Sequence, residues 1–321
     1  MTLYGRSLLT WLDYTPAEIT FLLELAHTVK REKNAGEIRQ RLVGKTIALI
    51  FEKRSTRTRS AFETAVGEEG GHPVFLSTAD IQLGAKESVE DTARVLGRMY
   101  SAIQYRGFSQ KTAETLAEFS GVPVYNGLTD SFHPTQALAD VMTLQEEFGF
   151  DGIAGKNLVF CGDGRNNVAR SLMVICAKLG INCTIIAPKE LFPDSQIVKI
   201  CSELTEKSES KNKSAKAQIR ISETMRDVQN ADCVYTDVWT SMGEEALKNE
   251  RNRLLTPYQV NENVMAQVNN AKCVFLHCLP AVQNEEVTTG VIESAQSRVW
   301  DQAENRKHTV KAILLATLLK M

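Results

Sequence analysis

Short apolar runs of the β type alternate with helical patterns along the chain. The runs predict strands at 46–51, 73–76, 103–106, 122–125, 157–161, 183–187, 233–239 and 273–278. Helical periodicity follows most of them, and the capping box Thr15-Pro16-Ala17-Glu18 marks the start of an opening helix. Strands and helices that alternate in this way are typical of parallel sheets, so the predicted fold class is α/β.

A glycine-rich break at 149–155 separates two halves, each with its own alternation of strands and helices. The chain has 321 residues, which fits two domains of roughly 150 residues better than one core. We expect two doubly wound parallel-sheet domains joined by interdomain helices. The first spans 1–149, with the C-terminal helix 303–321 packing back on it, and the second spans 150–302.

Acidic and basic residues nearly balance, with 37 Lys and Arg against 39 Asp and Glu. This balance argues against nucleic acid or an acidic membrane as a partner. No apolar run reaches the roughly 18 residues that span a bilayer, and the first residues lack a secretory signal pattern, so a cytoplasmic location is expected. The seven cysteines contain no Cys-x-x-Cys pair and suggest neither a disulfide framework nor a zinc site.

The stretch Phe51–Ser60, which reads Phe-Glu-Lys-Arg-Ser-Thr-Arg-Thr-Arg-Ser, joins the strand at 46–51 to a helix. Its hydroxyl groups can cap the free N–H groups of the first helical turn, and Arg57 and Arg59 bring guanidinium charge to the partly positive helix end. Such a turn attracts a phosphate or a carboxylate, because guanidinium groups pair with their oxygens. The alternative is an ordinary capped helix whose arginines lie in water.

Other polar residues of the first half stand at the ends of predicted elements. Arg106 ends a strand, and His133 precedes a long helix. In an open parallel sheet, ligands bind beyond the carboxyl ends of the strands, where Arg57, Arg106 and His133 would converge. His133 is alternatively a helix cap or a core partner. The polar loop 77–86, which contains Gln82, could reach a ligand or another subunit, or be a plain surface loop.

The second half offers polar groups at corresponding positions. The loop after the strand 157–161 lacks the third glycine of a dinucleotide site, and Asn167 stands there, so the indication of NAD binding is weak. Asn167 suits a small carboxylate or amine, or is a simple cap. Asp237, at the end of an apolar strand, requires a positive partner, either a substrate amine or a lysine or arginine. Cys278 is a small apolar filler or a functional thiol, and Arg306 is a second anion-binding residue.

Four motifs stand in order along the chain: Ser-Thr-Arg-Thr at 55–58, His-Pro-Thr-Gln at 133–136, Asp237 with Ser-Met-Gly at 241–243, and His-Cys-Leu-Pro at 277–280. With this ordered set, the chain resembles the ornithine carbamoyltransferases of the aspartate/ornithine carbamoyltransferase family. The resemblance covers nearly the whole length and is weakest over 189–232 and 282–298. The last two motifs separate the chain from aspartate carbamoyltransferases, and the Ser-Met-Gly loop separates it from putrescine carbamoyltransferases.

The resemblance implies a first domain that binds carbamoyl phosphate, a second that binds L-ornithine, and no cofactor or metal. The implied carbamoyl phosphate residues are Ser55, Thr56, Arg57, Thr58, Gln82, Arg106, His133, Gln136, Cys278, Leu279 and Arg306, with Gln82 supplied by a neighbouring subunit. The implied ornithine residues are Asn167, Asp237, Ser241 and Met242. Members of the family form homotrimers or assemblies of trimers, in which the active sites are shared between subunits.

The implied reaction is attack of the neutral δ-amine of ornithine on the carbamoyl carbon, which gives L-citrulline and phosphate. The catalytic residues would be Arg57, Arg106, His133, Asp237 and Cys278. Ser241 lies in the expected lid loop, and the segment 282–290 is shorter than in members with a longer insert after Pro280. The alternatives are a carbamoyltransferase for another amine, a non-catalytic anion-binding relative and an NAD-dependent oxidoreductase.

Overall fold

The computed structural model of the protein describes residues 2–78, 81–84, 86–207, 216–240 and 243–321. The β-strands of this part of the chain are β1 (Thr46–Phe51), β2 (His72–Ser77), β3 (Ala102–Arg106), β4 (Val124–Leu128), β5 (Asn157–Cys161), β6 (Asn182–Ile186), β7 (Ile219–Ser222), β8 (Cys233–Thr236) and β9 (Val274–His277). The α-helices are α1 (Pro16–Asn34), α2 (Thr56–Glu68), α3 (Val89–Met99), α4 (Gln110–Ser120), α5 (Pro134–Phe148), α6 (Asn167–Leu179), α7 (Ser195–Lys207), α8 (Lys248–Leu255), α9 (Glu262–Gln267), α10 (Thr289–Ile292) and α11 (Val299–Leu318). Short 3₁₀ helices cover Trp11–Asp13, Lys189–Leu191, Met225–Val228, Glu245–Leu247 and Thr256–Tyr258.

These elements belong to two compact units. The first unit contains 1–142 and 304–321, and the second contains 143–303. The chain passes from one unit to the other inside α5 and again inside α11. The first passage comes before the glycine-rich break at 149–155 where the sequence predicts the boundary.

The first unit is built on a parallel sheet with the strand order β2-β1-β3-β4. The apolar strand β1 is buried from its second residue onward, as expected for a strand that helices cover on both faces. On one face, β1 and β3 pack with α3 and α4 around Ile50, Ile103 and Leu116. The sheet therefore has buried positions on both sides.

The C-terminal helix α11 contributes to the core of the first unit. The hydroxyl groups of Thr317 and Tyr125 are 2.7 Å apart and fully buried, and the Gly5 N–H donates to the Thr317 carbonyl at 2.8 Å. The Tyr125 ring also packs against Phe62 of α2, with ring centroids 6.2 Å apart. Residues from the beginning, middle and end of the chain thus meet on the second face of the sheet.

The second unit has a parallel sheet with the strand order β7-β6-β5-β8-β9. Its core includes Val159 of β5, Val234 of β8 and Phe275 of β9, which pack with Val264 and Val291 from the helices that follow. The predicted fold class of two doubly wound parallel-sheet domains is confirmed. Among the described helices, none combines the length and the apolar character that crossing a bilayer requires.

Two predicted strands differ from the observed ones. The run at 122–125 becomes β4 (Val124–Leu128), because Gly121 ends α4 in a left-handed conformation and Pro123 has no N–H to donate. The run at 233–239 is strand only as far as Thr236, and Trp239 instead packs with Leu191 and Leu255. Asp237 consequently lies in the loop just beyond the carboxyl end of β8.

Candidate active site

In the first unit, the strand order reverses between β1 and β3. The chain runs from β1 outward to β2 and then returns to place β3 and β4 on the other side of β1. Phe51 and Arg106 are paired residues at the carboxyl ends of these two strands. The loops that follow diverge at such a reversal and leave a crevice, which is where open α/β sheets bind their ligands.

The turn Phe51–Ser60 has the predicted cap. Ser55 is the N-cap of α2, with extended backbone angles, and its hydroxyl accepts the Thr58 N–H at 3.1 Å. Arg57 is half-buried, whereas Arg59 is exposed, donates to Glu63 at 2.8 Å and lies 3.9 Å over the Phe75 ring. The two arginines therefore differ in environment, and only Arg57 of this pair fits the description of an anion-binding residue.

A buried cluster of polar groups is centred on the hydroxyl of Thr58. The guanidinium groups of Arg106 and Arg306 both donate to it, each at 3.2 Å. Thr58, Arg106 and Arg306 are 1 %, 7 % and 2 % exposed, respectively. Guanidinium groups brought together in a buried place favour an anionic ligand, because burial of positive charge is costly without a countercharge.

Arg306 is held by further contacts to the start of α5. It donates to the Gln136 amide oxygen at 2.5 Å and to the Thr135 hydroxyl at 3.3 Å. Gln136 in turn donates from its amide nitrogen to Asp140 at 2.7 Å, which fixes the orientation of the amide. The predicted residues Thr58, Arg106, Gln136 and Arg306 are thus brought together in one hydrogen-bonded group.

Glu52 is a residue of this region that sequence reasoning did not single out. Its carboxylate accepts the Tyr105 hydroxyl at 2.6 Å and the Phe108 N–H at 3.1 Å, while its own N–H donates to the Arg106 carbonyl at 2.8 Å. A Cβ on Gly107 would lie 2.1 Å from the Glu52 carboxylate, so a side chain at this position would displace the carboxylate. Glu52 therefore binds the side chain before Arg106, the Arg106 carbonyl and the backbone two residues after it.

His133 lies buried just before α5. Burial and the guanidinium groups of Arg306, Arg106 and Arg57 hold the pKa of His133 well below its usual 6.5. The ring is therefore neutral at pH 7 and can donate from one nitrogen. The Thr135 hydroxyl lies 3.4 Å from its Nδ1 atom.

The depressed pKa of His133 makes the stability of the protein depend on pH. His308 behaves in the same way, because burial lowers its pKa to about 4. Below pH 6.5, and down to about pH 4 for His308, the unfolded chain binds more protons at these sites. The free energy of unfolding should therefore decrease as the pH falls, by up to about 1.4 kcal/mol per pH unit for each histidine. Above pH 6.5 neither site contributes to the slope.

Urea unfolding at pH 7, 6 and 5 measures this slope. The variant His133→Gln should show a shallower decrease of the unfolding free energy than the wild-type chain between pH 6.5 and 5. Equal slopes for the two proteins would contradict the burial of a neutral His133.

The remaining predicted residues of the first unit, Ser55, Thr56 and Gln82, lie at the surface. Ser55 is half-buried, and Thr56, the first residue of α2, is exposed. Gln82 is exposed in the described piece 81–84, and its carbonyl accepts the Glu87 N–H at 3.4 Å. The Gln82 side chain is therefore accessible to another molecule.

In the second unit, the strand order reverses between β5 and β8. Cys161 and Thr236 are paired at the carboxyl ends of these strands, and the Thr236 hydroxyl donates to the Cys161 carbonyl at 2.7 Å. Asp237 follows directly, opposite the loop 162–166 that leads into α6. The geometry of a ligand crevice is thus repeated in the second unit.

The carboxylate of Asp237 is buried and shared by two donors. One oxygen accepts the Cys278 thiol at 3.0 Å, and the other accepts the Asn166 amide at 2.8 Å. Within the described residues of this unit, no lysine or arginine forms an ion pair with Asp237. A buried carboxylate held only by neutral donors favours a positively charged ligand group such as an ammonium.

Asn166 makes two contacts, and the sequence did not show whether Asn166 or Asn167 would make them. Its amide oxygen accepts the Val168 N–H at 2.6 Å and caps α6, while its amide nitrogen holds Asp237. Asn167 is the first residue of α6 and is half-buried. The preference of asparagine for the N-cap position is the signal that could have identified Asn166.

Cys278 differs from the other cysteines of the chain. The remaining six are buried, whereas Cys278 is half-buried and donates its thiol proton to Asp237. Its neighbour Leu279 has a left-handed backbone, with φ of 57°, and its N–H donates to the His277 Nδ1 atom at 2.8 Å. The carboxyl end of β9 therefore turns sharply at these residues.

Potential metal ligands of Asp237, His277 and Cys278 lie within 4.8 Å of one another. Zinc is bound by such donors in other proteins. In this unit, however, the His277 Nδ1 atom accepts the Leu279 N–H, and its Nε2 atom is 3.1 Å from Glu286. A metal would have to displace one of these bonds. Ser241 and Met242, which the sequence predicts to bind ornithine, lie outside the described residues.

Comparison with known proteins connects these two groups of residues to one family. Residues 6–146 match the family description "Aspartate/ornithine carbamoyltransferase, carbamoyl-P binding domain", and residues 154–317 match "Aspartate/ornithine carbamoyltransferase, Asp/Orn binding domain". The chain is 61 % identical over 317 residues to the ornithine carbamoyltransferase of Caldanaerobacter subterraneus subsp. tengcongensis, covering 99 % of both chains. It is 59 % identical over 319 residues to that of Pseudothermotoga lettingae, again covering 99 % of both.

Solved structures agree with the sequence comparisons. The ornithine carbamoyltransferase from Pyrococcus furiosus superposes with a TM-score of 0.93 at 43 % sequence identity, over 100 % of both chains. The family matches cover well over half of the chain and the relatives cover nearly all of it. The chain therefore belongs to the aspartate/ornithine carbamoyltransferase family.

Proposed function

We propose that the protein transfers the carbamoyl group of carbamoyl phosphate to L-ornithine and releases L-citrulline and phosphate. The observation that carries this proposal is the convergence of Arg106 and Arg306 on the Thr58 hydroxyl. Thr58 and Arg106 lie in the part of the chain, 6–146, that matches a carbamoyl phosphate-binding domain. The names of the most similar relatives support ornithine as the acceptor.

Carbamoyl phosphate is assigned to the first domain, 1–149 with the C-terminal helix 303–321. Its phosphate carries two negative charges and suits the α2 N-terminus together with guanidinium groups. The residues proposed for the phosphate and carbamoyl ends are Ser55, Thr56, Arg57, Thr58, Arg106, His133, Gln136 and Arg306, to which the family resemblance adds Cys278 and Leu279.

Ornithine is assigned to the second domain, 150–302. The α-ammonium group suits Asp237, whose carboxylate is held by neutral donors only among its described contacts in this unit. Asn167 and the Ser241-Met242 segment are proposed to hold the α-carboxylate.

The reaction makes two demands on the protein. A carbon–nitrogen bond forms between the δ-nitrogen and the carbamoyl carbon, and a tetrahedral oxyanion develops. The carbon–oxygen bond to phosphate then breaks, and the proton that the attacking nitrogen loses is taken up by the released phosphate. Arg57, Arg106, Thr58 and neutral His133 are the proposed donors to the developing negative charge, and one such donor is typically worth about 3 kcal/mol. These donors also stabilise the departing phosphate.

The second demand is an uncharged amine. A free alkylamine has a pKa of about 10.4 and is protonated at pH 7, so a proton must be lost before attack. The hydrogen-bonded pair of Asp237 and Cys278 is the proposed route for this proton. The Ser241 loop is proposed as the lid that excludes water during the reaction.

We further propose that the protein works as a homotrimer or an assembly of trimers, in which Gln82 reaches the site of a neighbouring subunit. The exposure of the Gln82 side chain supports this role. A cytoplasmic location is proposed as well, because all seven cysteines are free thiols, as is usual in reducing compartments. Neither nucleic acid nor a membrane is a proposed partner.

A direct assay tests the proposed reaction. The purified protein is mixed with carbamoyl phosphate and each of ornithine, lysine, putrescine, aspartate and N-acetylornithine, and the carbamoylated product and phosphate are measured between pH 6 and 9. Ornithine should react fastest by orders of magnitude. A faster reaction with another amine would reassign the acceptor, and release of no product at any pH would exclude the enzymatic function.

A further inference from the structure

A fully buried pair of polar side chains lies directly behind Cys278. His277, the last residue of β9, and Glu286, in the segment 282–290, are both 0 % exposed. The His277 Nε2 atom is 3.1 Å from the Glu286 carboxylate. Burial removes both side chains from water, so their hydrogen bonds must be made within the protein.

The contacts of His277 determine where its proton lies. The Nδ1 atom accepts the Leu279 N–H at 2.8 Å, so this nitrogen carries no hydrogen. The ring hydrogen of the neutral imidazole is then on Nε2, which donates to Glu286. A flipped ring would lose both bonds. Glu286 therefore selects one orientation and one tautomer of His277.

The same carboxylate also holds the far side of the turn. The Glu286 oxygen that accepts the hydrogen bond from His277 also accepts one from the Val282 N–H, at 2.6 Å. Leu279 stands between these two anchoring points with a left-handed φ of 57°, a conformation that a branched residue adopts only when its surroundings impose it. Cys278 is part of this turn, and its thiol reaches Asp237 at 3.0 Å.

We propose that Glu286 is a positioning residue for the carbamoyl transfer. Through the ring of His277 and the Val282 N–H it fixes the turn 277–282, and this turn sets the Cys278 thiol on Asp237 and the backbone of Leu279. Glu286 itself touches neither substrate. The inference rests on the proposed function for its kinetic consequences, whereas the geometry of the turn is tested independently of any reaction.

Three substitutions of Glu286 distinguish the effect of its hydrogen-bond acceptor from the effects of its charge and its volume. Glu286→Leu removes the acceptor, and Glu286→Asp keeps the charge but withdraws it by about one carbon–carbon bond, roughly 1.5 Å. Glu286→Gln keeps an oxygen that can accept from both donors. The matched control is Glu285→Leu, because Glu285 is the adjacent residue and its side chain forms an ion pair with Lys248 at 2.7 Å, away from His277.

We expect Glu286→Leu and Glu286→Asp to lower kcat/KM for ornithine by about 10- to 100-fold, since small displacements of a reacting group have effects of this size. Glu286→Gln should recover to within about fivefold of the wild-type rate, and Glu285→Leu should stay within twofold.

The rate at which iodoacetamide alkylates Cys278 reports on the turn without any substrate. In the folded wild-type protein one adduct should form, because the other six cysteines are buried. In Glu286→Leu and Glu286→Asp the single adduct should form at least fivefold faster, as the thiol leaves Asp237. A general loosening of the fold would instead give several adducts, which intact mass spectrometry distinguishes.

The inference is overturned if both variants keep wild-type kinetics and the wild-type alkylation rate, or if they give multiple adducts whenever they lose activity. If Glu286→Leu does not fold, Glu286→Asp alone carries the test. If the wild-type protein itself forms no citrulline, the proposed function fails, while the alkylation rates still decide whether Glu286 positions Cys278.

Discussion

Replacing Arg57 by alanine should lower kcat by about 10²- to 10³-fold while the protein remains folded. Arg57 is half-buried in the first turn of α2, and its charge contributes to the depressed pKa of His133. Loss of one donor to a developing oxyanion typically costs this much in rate. Because the contact strengthens as negative charge develops, kcat and kcat/KM should fall together, and circular dichroism and urea unfolding should change little.

The matched control is Arg59→Ala. Arg59 is the same residue type, two positions further along the same helix, but it is exposed, paired with Glu63 and stacked on Phe75. It should retain at least a third of the wild-type rate. If both variants are equally active, or equally impaired, the special role of Arg57 is refuted.

Arg57→Ala should also change the acidic limb of the pH profile. With one of its three neighbouring guanidinium groups removed, His133 should have a higher pKa than in the wild-type protein, though still below its usual value because burial is the largest cause of the shift. Activity should then decline at a higher pH on acidification.

Substitution of Asp237 by asparagine should produce the second large effect, a loss of about 10²- to 10³-fold in kcat/KM for ornithine. The buried carboxylate is the proposed partner of the α-ammonium group, and loss of one member of a buried charge pair costs about 2–5 kcal/mol. The KM for ornithine should rise most, and the KM for carbamoyl phosphate should stay within threefold. An unchanged KM for ornithine would show that Asp237 does not bind ornithine.

Asp232 provides a control at the opposite end of the same strand. Its carboxylate accepts from Lys156 at 3.0 Å and from the Asn157 N–H at 2.8 Å, away from the carboxyl end of β8. Asp232→Asn should lower the stability of the second unit and leave both KM values within twofold of wild type. The comparison separates loss of a hydrogen-bonded carboxylate as such from loss of a ligand contact.

Local signals in the sequence were sufficient to predict the helix N-caps. The capping box at Thr15 and the N-cap at Ser55 form as predicted, because the hydroxyl and the N–H it accepts from are three residues apart. The alternation of strands and helices likewise predicted the fold class. These features depend on neighbours in the chain, which the sequence displays directly.

The convergence of the anion-binding residues depends on the topology. Thr58 meets Arg106 across 48 residues and Arg306 across 248. The rule that ligands bind at the carboxyl ends of parallel strands indicated the region, but the common hydroxyl partner could not be read from spacing. Glu52 and Glu286 were missed for the same reason, since each acts on a backbone or ring that folding brings to it.

Asn166 and Asn167 show that an error of one residue in the predicted helix start assigns a contact to the wrong side chain. Successive residues of a helix differ by about 100° in direction, and helix boundaries are uncertain by one or two positions in a sequence. The prediction of an asparagine at this helix start identified the right place. The partner of Asp237 is nevertheless Asn166, which lies just outside the helix.

The position of Arg306 near the end of the chain has a consequence for biosynthesis. The sheet of the first unit is complete once β4 has been made, but its anion-binding cluster lacks Arg306, and its second face lacks Thr317 of α11, until the whole second unit has been synthesised. A nascent chain that has folded its first 142 residues therefore exposes part of a core that only the last helix covers. Closing so long a loop is slow, so a chaperone has time to bind the apolar surface that α11 later covers.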